Sequence, residues 1–197
     1  MRWLAAFTAF AVLGGSLALA KPPARGEGVS EQVCPAGSYS VINAPDGSAV
    51  TILFDAFSVT GSDVSSTKRA SCAAQIPLNL PAGYSLGVYK VDYRGFAHLE
   101  PGQKAELSVD YGLGPKNRSR NYHRGLRGDF DGDFSFTENI GAGLMKRVGC
   151  GEEAILNFSA SLTLQPRSTP GQSMIVLDSN DGASKQGLVF HLDRKKC

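Results

Sequence analysis

The chain has 197 residues, 20 Lys and Arg against 18 Asp and Glu, and 42% hydrophobic residues. So even a balance gives no overall attraction to nucleic acid or anionic membrane, and the length and apolar content suit one domain that buries its own core. Four cysteines in such a chain point to an oxidising compartment.

Residues 1–20, MRWLAAFTAFAVLGGSLALA, read as a secretory signal peptide: Arg2, an apolar run, then Ala18-Leu19-Ala20 as a small-residue cleavage site. The alternative is a retained anchor, but Gly14-Gly15-Ser16 interrupt the run after Trp3–Leu13, and a span needs about 20 apolar residues. No membrane span is expected once the signal is removed, and 19 cations then face 18 acids. Residues 21–33 hold Pro, Gly and charge with little to bury and read as a flexible leader.

Residues 34–197 are expected to form a single domain. Period-two alternation marks nine strands: Tyr39–Asn43, Val50–Val59, Cys72–Leu80, Tyr84–Tyr93, Lys104–Tyr111, Phe134–Ile140, Ala154–Leu164, Met174–Asp178 and Leu188–Leu192. Ala154–Leu164 is the clearest, with Leu156, Phe158, Ala160, Leu162 and Leu164 on one face and Asn157, Ser159, Ser161 and Thr163 on the other. Turn formers such as Pro45-Asp46-Gly47, Pro81-Ala82-Gly83 and Pro101-Gly102 separate the runs. The pattern predicts an all-β, antiparallel β-sandwich of about nine strands, with a closed barrel as the alternative. Pro77 cannot donate to a ladder and places its strand at an edge or a bulge.

Cys34, Cys72, Cys150 and Cys197 allow three disulfide pairings. The shortest loops come from Cys34 with Cys72 and Cys150 with Cys197, each worth about 3–4 kcal/mol in the chain-entropy picture. A zinc site needs close Cys pairs, which are absent.

Lys116 to Arg127, KNRSRNYHRGLR, reads as a basic loop in which Arg118, Arg120, Tyr122, Arg124 and Arg127 can grip an anionic polymer or a glycan through bidentate contacts and stacking. The plainer alternative is a solvated loop that keeps a sheet edge soluble. The next run, Asp129-Phe130-Asp131-Gly132-Asp133 with Glu138 beyond, misses the EF-hand glycine and glutamate positions, so pairing with the preceding arginines is preferred to calcium. No metal or other cofactor is expected.

Arg94, in Tyr93-Arg94-Gly95-Phe96, is expected to secure a strand end, with Asp92 as its near partner and Gly95 permitting close backbone approach. His98, His123 and His191 are scattered, no nucleophile elbow or zinc helix occurs, and no catalytic residue is assigned. Carboxylates for glycoside chemistry exist among Asp110, Asp129, Asp131, Glu152 and Glu153. Asn117 and Asn157 begin N-glycosylation sequons, the second expected to face outward.

Several pieces recur together: Cys34-Pro35-Ala36-Gly37, Thr67-Lys68-Arg69 before Cys72, VDYRGFAHLEPG from Val91 to Gly102, GDFDGDFSF from Gly128 to Phe136, Cys150-Gly151, Asp178–Gly182, and the ending Arg194-Lys195-Lys196-Cys197. In this order the chain resembles the secreted family catalogued as domain of unknown function 4360. The resemblance implies an exported, single-domain β protein with two disulfides, and supplies no catalytic residues. Lys116–Arg127 is more basic than that pattern.

The resulting expectation is a secreted, monomeric, non-catalytic binding or structural module of the cell envelope or extracellular space, holding an anionic or polyhydroxylated polymer through the basic loop. The alternative is a secreted, glycan-directed hydrolase using carboxylates near Asp131. Nucleic acid is not an expected partner.

Overall fold

A computed structural model describes residues 33–62, 66–115, 119–141, 147–167, 170–177 and 187–197. Residues 1–32, on which the expected signal peptide and nearly all of the expected leader fall, lie outside them. Twelve strands and no helix occur among the described residues: β1 Tyr39–Asn43, β2 Ala49–Phe54, β3 Ser58–Gly61, β4 Lys68–Pro77, β5 Tyr84–Leu99, β6 Lys104–Leu113, β7 Arg120–Arg127, β8 Phe130–Asn139, β9 Arg147–Gly149, β10 Ile155–Leu164, β11 Ser173–Val176 and β12 Gly187–Lys196.

They form two antiparallel sheets. One has four strands in the order β4-β10-β6-β7. The other has eight: β1-β2-β12-β5-β11-β3 along one path, with β8 and β9 also paired to β5. The sheets are open, so the sandwich is found and the barrel is not.

The twelve strands depart from the expected nine in identifiable ways. The run Val50–Val59 breaks into β2 and β3 around residues 55–57. Tyr93 does not end a strand, because β5 continues to Leu99 and carries β12 then β11 along one edge, β9 then β8 along the other. The segment read as a basic loop is in fact strand β7 from Arg120 on. Its inward positions opposite β6 are Arg120, Tyr122, Arg124 and Leu126, too polar for alternation to reveal.

The core lies between the sheets, and aromatic rings join them. Phe54 of β2 meets Phe158 of β10 edge to face at 6.2 Å, Tyr111 of β6 meets Phe190 of β12 at 5.4 Å, and Tyr93 of β5 stacks on Tyr122 of β7 at 3.9 Å. Each buried ring contributes about 1.5–3 kcal/mol of burial. Gly95 has a packing reason: a Cβ there would collide with the Val176 carbonyl and the Phe134 ring, which lies across it from β8.

Both disulfides pair as expected, Cys34 with Cys72 and Cys150 with Cys197. The first ties the N-terminal segment to β4, where Cys34 N donates to Ala73 O at 3.0 Å. The second fixes the chain end, where Cys197 N donates to Gly83 O at 2.9 Å. Two disulfides in so small a chain belong to an oxidising compartment.

Candidate functional site

The structure places the described members of the basic constellation on strand β7. Arg118 lies outside the described residues. Arg120, Tyr122 and Arg124 take the inward side of edge strand β7, and Arg127 is exposed with Asn121 and His123 on the outward side.

Arg120 bridges the two sheets. Its Nη2 and Nε donate to Glu138 Oε1 on β8, at 2.9 and 3.3 Å, while Glu138 Oε2 accepts from the Tyr93 and Tyr111 hydroxyls, each at 2.9 Å. Burial pushes both tyrosine hydroxyls well above their usual range, and the hydrogen bond to Glu138 raises the Arg120 guanidinium. Arg124 Nε donates to Tyr122 Oη at 3.1 Å, and its guanidinium sits 5.5 Å from that ring's centre. Burial raises Tyr122 as well. Arg120 therefore serves the seam between the sheets, whereas Arg124 is exposed and leans on Tyr122 of its own strand.

Sequence reasoning placed Glu138 in an acidic run and missed this role. The signal was available: Phe134, Phe136 and Glu138 share one face of β8, so a carboxylate occupies a core-facing position. The run itself is straight strand, which sets alternate acids about 6.6 Å apart along one face instead of curling them around an ion. Asp131 lies against His98 at 3.2 Å, while Glu138 pairs with Arg120 at 2.9 Å, so the expected pairing of these acids with the preceding arginines is met at Glu138.

Asp92 does not pair with Arg94. It is buried on the outward side of β5, where its carboxylate accepts from Thr137 Oγ1 at 2.6 Å, meets His191 Nε2 at 2.8 Å and Lys90 Nζ at 3.2 Å. Burial works to raise its pKa, but these partners together hold the carboxyl below its ordinary value of 3.8. The cluster rivets β5 to β8 and β12 through Cα partners Thr137 and Val189.

A concave site lies on the outward face of the four-stranded sheet, directly after the basic segment. It is a groove of about 410 Å³ whose polar lining is Gln75, Asp110, Ser119, Asn157 and Ser159. Antiparallel register builds it: Ser159 stands between Ala73 and Asp110, and Asn157 between Gln75 and Gly112. Asn121 Nδ2 donates to Asp110 Oδ1 at 2.9 Å and fixes that carboxylate. Asn157 Nδ2 donates to Gly114 O at 3.1 Å, leaving its carbonyl oxygen for a ligand and committing the nitrogen that glycosylation would modify. The side chain is half-buried, not freely outward. Asn117 lies outside the described residues. Val33 forms an apolar wall, bridged in parallel to Ala73. This set can donate to and accept from hydroxyl groups, and among the described residues that line it there is one carboxylate and no cation.

Asp110 and Asp131 face solvent from opposite sheets of the sandwich. Stacked sheets are about 10 Å apart before side chains extend outward, beyond the roughly 5–9.5 Å that glycoside hydrolysis asks of two carboxylates.

Residues 26–197 match the family model described as "Domain of unknown function (DUF4360)". A relative from Arthroderma benhamiae, described as an uncharacterized secreted protein, is 25% identical over 166 residues, spanning 83% of this chain and 67% of the relative.

Proposed function

The chain belongs to the DUF4360 family, and we propose that it is a secreted, non-catalytic module that holds a neutral polyhydroxylated polymer, a glycan strand, in the groove over β4, β10 and β6. One observation carries this reading: a groove of binding-site size on a sheet face beside the basic segment, lined by a carboxylate, amides and hydroxyls. Sugar hydroxyls both donate and accept, so a mixed set suits them. The Asp110 carboxylate opposes phosphate, sulfate or uronate groups, and Arg120 is engaged between the sheets by Glu138. The polyhydroxylated half of the original expectation is thus favoured over the anionic half. The secreted description of the fungal relative and the two disulfides support an extracellular setting.

The hydrolase alternative is less well supported. The Asp131 side chain is 68% exposed beside His98, whereas a general acid works from an enclosed, apolar setting.

An array of neutral and anionic polysaccharides at low and high salt tests the proposal. Binding to neutral glycans that is indifferent to salt and lost in Asn157→Ala supports it. Binding confined to polyanions, steeply weakened by salt and unchanged in Asn157→Ala, overturns it, as does silence across the array.

A further inference from the structure

Strand β4 ends the four-stranded sheet, with β10 on one side and no strand on the other among the described residues. The direction of its backbone groups follows from two bonds. Leu78 N donates to Ala154 O across the β10 side, whereas Ala73 O accepts from Cys34 N on the open side. Peptide groups alternate along an antiparallel strand, so Arg69, Ser71, Ala73, Gln75 and Pro77 turn theirs toward the open edge.

Two of those five are guarded. Pro77 has no N–H to offer, which fits its expected place at an edge. Ala73 is covered by the Val33–Cys34 segment, which bridges in parallel and then leaves through the turn closed by Ser38 N on Pro35 O at 3.1 Å. Arg69 and Ser71, and Gln75 beside the glycan groove, are left with no backbone partner across this edge among the described residues. A groove of about 400 Å³ opens there, lined by Phe54 and Phe57, with the exposed Arg69 at its side. Proteins guard sheet edges because open ones pair with other chains, so two unguarded residues beside an aromatic pocket and a cation describe a peptide-docking edge.

We propose that the edge of β4 at Arg69 and Ser71 takes an extended peptide that adds to the sheet through main-chain hydrogen bonds, sets one apolar side chain in the groove against Pro35, Ala56 and Ala70, and pairs an acidic group with Arg69. The site is separate from the glycan groove, so either can fail alone.

The probe is a panel of acetylated hexapeptides of alternating Val and Thr around one Phe, ending in Glu or in Lys, titrated by fluorescence anisotropy into the disulfide-intact protein. The Glu-ended peptide is expected to bind at least tenfold tighter than the Lys-ended one, and Arg69→Glu to reverse that order. Ser71→Pro removes only an outward N–H and is expected to lower affinity at least tenfold with an unchanged melting temperature. Should that variant misfold, peptides N-methylated at alternate amides, tested on the unaltered protein, must show the same loss. No binding across the panel overturns the proposal, as does binding indifferent to N-methylation. Concentration-dependent dimerisation abolished by Ser71→Pro assigns the edge to a second copy of the chain and overturns it too.

Discussion

Replacing Glu138 by Ala is expected to destabilise the fold more than any other single surface-accessible carboxylate change. The Glu138 side chain is only 12% exposed and accepts from Tyr93, Tyr111 and Arg120. Tyr93 and Tyr111 are 0% and 3% exposed, so truncation strands two hydroxyls that water does not reach easily. Each stranded buried group costs about 1–3 kcal/mol. Arg120 is 31% exposed, so water recovers part of its lost pairing, and the ion pair adds less than the roughly 3–5 kcal/mol of a fully buried one. The sum is about 3–4 kcal/mol, or about 10 °C in melting temperature for a domain of this size. Urea titration should show a lowered midpoint with an unchanged slope. Glu138→Gln keeps an acceptor for the tyrosines and should cost only about 1–2 kcal/mol. Tyr93→Phe should cost little further in the Glu138→Ala background, since the two share one bond. A Glu138→Ala loss under about 1 kcal/mol, or a Gln variant worse than the Ala variant, would refute the role assigned to this carboxylate.

Other consequences are checked similarly. Tyr93 and Tyr111 titrate above their ordinary 10.0 in the fold, so their contribution is present below pH 10.0 and is lost as pH rises beyond it; urea midpoints should fall on the alkaline side and fall less in Tyr111→Phe. Asp92 titrates below 3.8 in the fold, so its contribution is present above that pH and fades as pH falls through the folded value; Asp92→Asn should flatten the acid limb of the same curve. Gly95→Ala forces Phe134 and the Val176 carbonyl apart and should cost about 3 kcal/mol by calorimetry. Arg120→Ala should cost about 1–2 kcal/mol whereas the exposed Arg127→Ala stays within about 0.5, a contrast that a solvated loop would not produce.

The sandwich was legible because most strands announce themselves by alternation: Leu156, Phe158, Ala160 and Leu162 of β10 admit one register, since a slip of one residue would bury Asn157 and Ser159. Loop length sufficed for the disulfides. Strand β7 was not legible because the side that carries Tyr122 and Leu126 also carries Arg120 and Arg124: Arg120 is tolerable there through Glu138 of the partner sheet, and Arg124 stays exposed against Tyr122. The groove was invisible for a different reason. Its lining comes from β4, β6 and β10, and the adjacency of Gln75, Asn157, Ser159 and Asp110 exists only once long-range pairing sets the register. Asp92 was noticed but given the wrong partner, because its neighbour in sequence, Arg94, is exposed while Thr137 and His191 arrive from other strands.

The most direct test is an amide NMR titration of the disulfide-intact protein with a neutral oligosaccharide that scores on the array. Shifts should gather at Ala73–Gln75, Asp110 and Asn157–Ser159, saturate without release of free sugar, and vanish in Asn157→Ala. Shifts centred instead on His98 and Asp131, or cleavage of the oligosaccharide during the titration, would contradict a non-catalytic glycan groove on the four-stranded sheet.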